Sequence, residues 1–271
     1  MAEIAAIMGV YNCEKTVEDS INSILNQTFS DFIYYICDDG STDNTANIVS
    51  ELAKKDNRIV FFKNEKNSGL AVTLNRCLDL CDTPFIARMD GDDIAHNDRF
   101  EKQINFLRQN SEYDFCGSSL IYFDENGVWG NHVYIEKPNN KSFLFMNPFA
   151  HPSMLFRKEA FEKAGKYETE KWIGRSEDYE LFMRMYSKGL KGYNFQEPLL
   201  SYREQRESYS KRKLKYAFTD AYVRFRGFKS LHLFPKGLIY VIKPIFVGLL
   251  PVRIRILLKK KIHSTNIKGK Q

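Results

Sequence analysis

The sequence lacks the cysteine pattern of a secreted or zinc-binding protein. It has five cysteines in 271 residues, which is an odd number, and most of them lie within apolar stretches. A disulfide framework is therefore not expected, and a reduced, cytosolic compartment fits best. Cys77 and Cys81 have helical i, i+4 spacing, and one interpretation is that they bind a metal ion. No second Cys or His pair accompanies them at zinc-finger spacing, however. We therefore predict that both pack inside the protein from one helix.

Long uninterrupted apolar runs are also missing. Residues 238 to 250 form an apolar stretch, but Lys243 and Pro244 interrupt it, and a membrane-spanning helix needs about 20 apolar residues. This stretch is not expected to cross a bilayer unaided. At the N-terminus, Glu3 stands where a signal peptide carries basic residues, and the apolar run there has only about seven residues. We expect this run to be a first strand.

Three nucleotide-related signatures are absent as well. No G-x-G-x-x-G follows the first apolar run, which argues against a dinucleotide-binding dehydrogenase. No glycine-rich loop with a lysine for a triphosphate follows it, which argues against a nucleotidyltransferase. The basic residues are not arranged around a recognition helix or an aromatic strand platform, so we expect no nucleic-acid partner.

The charges that are present are unevenly distributed. The formal net charge is +6, residues 203 to 271 are rich in Lys and Arg, and most acidic clusters lie before residue 181. This asymmetry predicts a basic tail that contacts an anionic partner.

Short apolar runs alternate with helix-period segments over the first ninety residues. The runs read as strands at 4 to 10, 32 to 38, 59 to 63 and 84 to 89, and the segments between them have apolar residues at spacings of three and four. This order predicts an α/β fold with a parallel, doubly wound sheet. Ligands of such sheets bind at the carboxyl ends of the strands.

Polar motifs follow three of these strands. The first strand ends in VYN, the second in DDGSTD and the fourth in MDGDD. We therefore expect Tyr11, Asp39, Asp90 and Asp92 to line one cleft. Asp90 and Asp92 can present oxygens to one hard divalent cation, and a solvated acidic turn is the alternative.

The DDGSTDNT motif also has a purely structural interpretation. Gly40 permits a turn, and Ser41, Thr42 or Asp43 is expected to cap the helix that follows. This interpretation gives no role to the two acids, Asp38 and Asp39, that precede the turn.

Five segments in this order resemble the family 2 glycosyltransferases. They are VYNCEKTVEDSINSILNQTFSDF, DDGSTDNT, NSGLAVTLNRCL, ARMDGDD and SEDYELFMRM, and the resemblance covers residues 3 to 205. It implies the GT-A fold and an inverting enzyme that moves a sugar from a nucleotide diphosphate. With the basic tail it also implies a UDP-sugar donor and a saccharide acceptor, expected to be lipid-linked, in cell-surface polysaccharide synthesis.

The resemblance assigns roles to individual residues. Asp39 matches the acid that binds the uracil base, and Tyr11 borders the same pocket. Asp92 matches the metal-binding acid, with Mn²⁺ or Mg²⁺ as the cofactor, and Asp90 matches the acid near the ribose, the sugar and the metal. Asp178 matches the catalytic base. Two positions depart from the family pattern: Gly9 replaces a common Pro, and Gln205 replaces a His that often helps to hold the metal or pyrophosphate.

The acceptor side is predicted from the segment around the base. Ser176 is the expected N-cap of a helix in which Glu177 shapes the pocket beside Asp178, and the alternative is that both acids only complement the helix dipole. Trp172 is expected to stack on an acceptor sugar, and His151 to contact the acceptor or a phosphate. Both residues also fit a core or rim position.

The C-terminal part is expected to act as an extension of the catalytic domain. We predict a catalytic domain at 1–205, with a nucleotide-binding half at 1–100 and an acceptor half at 101–205, and a helical, basic extension at 206–271. The apolar stretch should lie in a membrane interface, peripherally on the inner face of the cell membrane, or else pack back on the domain. The headgroup contacts are expected from Arg253, Arg255, Lys259, Lys260 and Lys261. A non-catalytic sugar-nucleotide-binding or scaffold module is the alternative function.

Overall fold

The computed structural model describes residues 2–204 and 214–249. Over the first ninety residues, strands and helices alternate as predicted. The strands are Ile4–Val10 (β1), Phe32–Asp38 (β2), Ile59–Lys63 (β3) and Phe85–Asp90 (β4). The helices are Val17–Leu25 (α1), Thr45–Lys55 (α2) and Leu70–Leu80 (α3). The four strands pair in parallel in the order β3-β2-β1-β4, which confirms the doubly wound half of the prediction.

The second half extends the same sheet with mixed pairing. Its strands are Ile94–Ala95 (β5), Phe115–Asp124 (β6), Gly127–His132 (β7), Leu155–Arg157 (β8) and Gly192–Arg203 (β9). The order continues β4-β8-β6-β9-β5, with β7 on β6, and β8 is antiparallel to β4. The helices of this half are Arg99–Gln109 (α4), Lys158–Ala164 (α5) and Glu177–Ser187 (α6). Both halves are therefore built on one sheet.

Strand β1 shows why its sequence is apolar at nearly every position. Ala5 and Ile7 belong to the hydrophobic cluster on one face of the sheet, whereas Ile4, Ala6 and Met8 belong to the cluster on the other. Because helices cover both faces, the usual alternation of apolar and polar residues is lost.

The buried cysteines confirm the packing prediction. Cys77 on α3 and Cys81, the C-cap residue of that helix, are free thiols in the core. Burial raises the pKa of Cys81 to about 12, which keeps the thiol protonated. Neither side chain belongs to a group of metal-ligating residues among the described part of the chain.

Two further helices follow the catalytic strands. They are Leu214–Ser230 (α7), which packs against α6, and Leu238–Leu249 (α8), which packs against α7. Val241 faces the core, whereas Ile239, Phe246 and Leu249 are each about two-thirds exposed. No helix within 2–204 or 214–249 has the length and apolar character needed to cross a membrane. Gln205 and the five predicted headgroup contacts lie outside the described residues.

Candidate active site

The ends of three parallel strands are in register at one edge of the sheet. Gly9 of β1 lies beside Asp90 of β4, and Val10 lies beside Asp38 of β2. The loops that begin with Tyr11, Asp39 and Gly91 therefore start side by side. Tyr11 is about half exposed at the rim.

Asp39 ties together two loops at this edge. Its carboxylate is buried and accepts hydrogen bonds from Asn64 Nδ2 at 2.6 Å, from the Ser68 amide at 2.8 Å and from the Gly69 amide at 2.8 Å. Asp38 accepts from the Ser41 amide at 3.1 Å. Both acids thus have structural roles that the sequence did not reveal.

The helix-cap prediction for the DDGSTDNT motif is wrong. Helix α2 begins at Thr45, and Asn44 is its N-cap residue. Asp43 nevertheless accepts a hydrogen bond from the amide of Thr45, the first residue of α2. It also accepts one from the Glu14 amide, because the loop after β1 packs against this segment. The prediction for Gly40 is confirmed: its φ is +74°, and a Cβ there would lie 2.8 Å from the backbone of Lys66.

Gly9, where many members of the resembled family have proline, lies in the middle of the sheet. A Cβ at this position would come within 3.0 Å of the Leu70 and Thr73 side chains of α3. Glycine therefore lets the helix approach the strand closely. Proline would also remove an N–H from a strand that is paired on both sides.

Three carboxylates meet after β4. Oxygens of Asp90, Asp92 and Asp93 lie within 4.8 Å of one another. Asp92 is exposed, but desolvation by the surrounding protein and the charge of Asp90 raise its pKa to about 6. Burial and the same neighbouring charges raise the pKa of Asp93 well above its usual value. Asp93 Oδ1 accepts from the Arg203 amide at 2.8 Å, and its Oδ2 has no hydrogen-bond partner among the described residues.

This donor set fits a hard divalent cation. Such ions prefer several carboxylate oxygens at once, and the crowding of like charges is relieved when a cation is bound. Asp92 and Asp90 have accessible carboxylates, whereas Asp93 is buried beneath them. The raised pKa of Asp93 indicates that three ionised carboxylates are not favoured together without a cation.

Arg88 lies beneath the acidic cluster and was missed by the sequence analysis. Its guanidinium is fully buried and forms an ion pair with Asp90. Burial opposes the charge, but Asp90 holds the pKa of Arg88 above its usual value. Within residues 2–204 and 214–249, its Nε and Nη1 have no hydrogen-bond partner. The apolar strand pattern around this arginine did not predict that it would pair with Asp90.

Asp178 lies in the first turn of α6 and is held in a fixed orientation. Its Oδ1 accepts from the Tyr179 amide at 2.7 Å, and its Oδ2 accepts from Asn147 Nδ2 at 2.8 Å. The Phe149 amide donates to Asn147 Oδ1 at 3.2 Å, so the Asn147 amide is also oriented. Ser176 is the N-cap residue but makes no capping bond through its side chain.

The carboxyl groups of Glu177 and Asp178 are adjacent and poorly solvated. Burial first, and the charge of Asp178 second, raise the pKa of Glu177 to about 7. Burial also raises the pKa of Asp178, although the hydrogen bonds to its carboxylate and the charge of Arg88 oppose that rise.

Asp90 of the acidic cluster and Asp178 face one cavity. This cavity has a volume of about 370 Å³. Other lining residues are Arg88, Asn147, His151, Arg175 and Glu177. A carboxylate cluster suited to a cation and a separate oriented carboxylate therefore share one cleft.

The sequence model described as "Glycosyl transferase family 2" matches residues 5–165, more than half of the chain. The chain belongs to glycosyltransferase family 2. EpsE of Bacillus subtilis (strain 168) is 34% identical to this glycosyltransferase over 253 residues, which are 93% of this chain and 91% of that protein. The UDP-Gal:alpha-D-GlcNAc-diphosphoundecaprenol beta-1,3-galactosyltransferase of Escherichia coli is 28% identical over 269 residues, covering 96% of each chain.

Solved structures confirm the fold expected of this family. The crystal structure of S. aureus TarS 1-349 in complex with UDP aligns with a TM-score of 0.69 at 17% identity. The alignment covers 93% of this glycosyltransferase and 76% of the TarS chain. The fold is therefore GT-A, with two added C-terminal helices among the described residues.

The two predicted acceptor contacts of this glycosyltransferase lie in different places. His151 is buried at the cleft wall, where its Nε2 is 2.7 Å from the hydroxyl of Tyr167, and burial lowers its pKa well below the usual value. Trp172 is not among the residues that line the cavity. Its ring contacts Tyr222 of α7 at a centroid distance of 5.3 Å, and the Arg226 guanidinium lies 4.5 Å from its centroid.

Proposed function

We propose that this glycosyltransferase moves a hexose from a UDP-sugar to a lipid-linked saccharide in one inverting, metal-dependent step of cell-surface polysaccharide synthesis. The observation that carries the proposal is the shared cleft, in which Asp178 and the Asp90–Asp92 pair line one cavity or adjoin it. Family membership supports sugar transfer, and the UDP in the TarS crystal supports the donor class.

The donor is proposed to bind at the ends of β1, β2 and β4. Asp39 keeps lone pairs on its carboxylate after accepting three protein hydrogen bonds, so it is available to accept one from the uracil base. Tyr11 covers the base from the rim, and Asp90 contacts the ribose and the sugar. In this arrangement the diphosphate lies over the acidic cluster.

The acidic cluster requires a counter-charge before it can receive a diphosphate. Mn²⁺ or Mg²⁺ would be held by Asp92 and Asp90, and it would stabilise the negative charge that develops on the leaving diphosphate. Arg88 holds Asp90 from below and keeps its carboxylate in place. Asp93 supports the cluster and fixes the end of β9 through the Arg203 amide.

Asp178 is proposed to act as the general base. It takes the proton of the acceptor hydroxyl while the hydroxyl oxygen bonds to the anomeric carbon and the bond from that carbon to UDP breaks. One displacement inverts the configuration at this carbon. Glu177 narrows the cleft beside the base, and its pKa near 7 means that it is partly protonated at neutral pH. His151 and Trp172 remain proposed acceptor contacts.

Asp178→Asn tests this assignment because the change keeps the shape of the side chain but removes its basicity. We expect UDP-sugar affinity to be nearly unchanged and the transfer rate to fall by about 10² to 10⁴-fold. The matched control is Glu177→Gln, which should cost less. If Asp178→Asn retained transfer activity and Glu177→Gln lost it, the general base would be Glu177. If both variants were active, the two acids would only stabilise the helix through its dipole.

The acceptor class is proposed from a relative and from α8. The name of the E. coli relative includes a saccharide on diphosphoundecaprenol. In this chain Ile239, Ile242, Phe246 and Leu249 form an exposed apolar stripe at spacings of three and four. With the basic run that follows in the sequence, this stripe suits the interface of an anionic membrane on its cytoplasmic face. We thus propose residues 1–205 as the catalytic domain and 206–271 as a membrane-binding extension.

Vesicle binding tests the extension without removing the buried side of α8. Phe246→Ser combined with Leu249→Ser should lower affinity for anionic vesicles and leave UDP affinity unchanged. Both side chains are exposed, so the fold should be retained. Unchanged vesicle binding would show that α8 only packs on the catalytic domain.

A further inference from the structure

An exposed apolar surface joins α8 to the catalytic cleft. Phe145 and Met146 follow the short 3-10 helix Asn140–Leu144, and their exposed fractions are 60% and 47%. Met146 lines the cleft. The ring of Phe145 contacts Tyr240 of α8 edge to face, with centroids 5.3 Å apart. Contiguous exposed apolar residues of this kind mark binding surfaces more often than isolated ones do.

The exposed side of α8 carries further apolar residues. Ile239, next to Tyr240 in sequence, is 66% exposed, and Ile242 and Phe246 follow on the same exposed side of the helix. We call the surface formed by Met146, Phe145 and Tyr240 the apolar strip; Tyr240 packs partly against the core, and the exposed side of α8 begins at the neighbouring Ile239. One end of the strip lies in the cleft, and the other lies on the helix proposed to contact the membrane.

The strip starts close to the proposed base. Met146 immediately precedes Asn147, whose amide donates to Asp178. The Cα atoms of Phe145 and Asn147 are two peptide units apart, so at most about 8 Å separates them. An apolar group on the strip is therefore near the point where the acceptor hydroxyl would be activated.

A positive charge without a carboxylate partner lies in the same cleft. Arg175 is exposed, lines the cavity two residues before Glu177, and has its guanidinium 5.0 Å from the ring centroid of Tyr216. No ion pair joins Arg175 to an acidic residue within the described ranges. Its charge is complementary to a phosphate group.

We propose that the apolar strip binds the hydrocarbon chain of a lipid-diphosphate acceptor and that Arg175 binds its diphosphate. This inference rests on the proposed function and adds where the acceptor enters. A bilayer alone does not account for an apolar residue inside the cleft, and a protein partner on the strip would obstruct the acceptor side. A lipid tail that leaves the membrane along α8 satisfies both conditions.

The test measures binding of undecaprenyl diphosphate in neutral detergent micelles. Phe145 is 60% exposed, so covering the exposed part of its side chain should strengthen binding about five- to twentyfold, and Phe145→Ser should remove that gain. Arg175→Gln should weaken binding of undecaprenyl diphosphate but not of undecaprenol. The matched control is Val128→Ser in β7, where the side chain is 73% exposed and lies outside the strip and the cleft lining.

Several outcomes would overturn the inference. They are no binding by the wild-type protein, unchanged binding by Phe145→Ser, and equal weakening by Val128→Ser. The inference would also be overturned if Phe145→Ser bound vesicles that lack undecaprenyl diphosphate more weakly than the wild-type protein by the same factor. The strip would then bind only the bilayer. UDP affinity shows whether each variant is folded. If Phe145→Ser no longer binds UDP, the same binding measurements are made with Met146→Ser and judged by the same criteria. Metal-dependent UDP release from UDP-sugars tests the proposed function separately, so the inference can fail while that function stands.

Discussion

Replacing Glu177 with glutamine is expected to stabilise the protein at alkaline pH and to have little effect at acidic pH. Burial and the charge of Asp178 raise the pKa of Glu177 from 4.5 to about 7. Each pKa unit corresponds to about 1.4 kcal/mol, which sets an upper bound of about 3.5 kcal/mol. The carboxylate is partly accessible to solvent, so we expect about 1 to 2 kcal/mol after screening.

The pH range of this effect follows from proton binding in the two states. Below pH 4.5 the carboxyl is protonated in both folded and unfolded chains, and its burial carries no charge penalty. Between pH 4.5 and about 7 only the unfolded chain releases the proton, so wild-type stability falls as pH rises. Above about pH 7 the full penalty is present. The uncharged glutamine avoids it throughout.

Thermal unfolding at pH 4.5 and pH 8 measures this difference. At pH 8 a gain of 1 to 2 kcal/mol should raise Tm by roughly 2 to 8 °C for a chain of this size, and at pH 4.5 the two proteins should unfold together. Glu112→Gln, in an exposed turn before β6, is the matched control and should show no pH-dependent change. A Tm difference that is the same at both pH values, or a lower Tm for Glu177→Gln at pH 8, would refute the reasoning.

Four further changes probe the donor side and the base. Asp92→Ala should abolish transfer and weaken UDP binding far more with Mn²⁺ than without it; equal weakening under both conditions would rule out the ligand role. Asp39→Ala should weaken UDP binding under both conditions and also lower Tm, because each buried donor left without a partner costs about 1 to 3 kcal/mol. Arg88→Met leaves Asp90 without its buried partner, and urea titration should show a loss of about 3 to 5 kcal/mol; a change below about 1 kcal/mol would contradict the buried ion pair. Asn147→Ala removes a hydrogen bond that lowers the pKa of Asp178, so the acidic limb of kcat/KM should move to higher pH, and an unmoved limb would speak against this contact.

The nucleotide half was predictable because its signals are local. A strand buried on both faces requires an unbroken apolar run, and the runs at 4 to 10, 32 to 38 and 59 to 63 match β1, β2 and β3 at both ends. Parallel pairing then places the residues after each strand at one edge. The positions of Asp39 and Asp90 follow from this rule.

The supporting residues were not predictable because their roles depend on distant contacts. Asn147 acts on Asp178 across 31 residues of sequence, and Arg203 binds Asp93 across 110 residues. Arg88 differs from its apolar neighbours only in being charged, and its burial follows from the position of β4 in the middle of the sheet. Trp172 packs on α7, and the motifs around Asp178 do not predict the position of this helix.

The continuous sheet has a consequence for motion during the catalytic cycle. The strands that carry the proposed donor site and those behind the proposed acceptor site are hydrogen-bonded in one sheet, with β4 joined directly to β8 and β8 to β6. Hinge closure of two lobes would break this ladder, so the fold does not favour hinge closure as a way to capture substrate. The spacing between the acidic cluster and the base is then set at folding, and little reorganisation energy is left for each turnover.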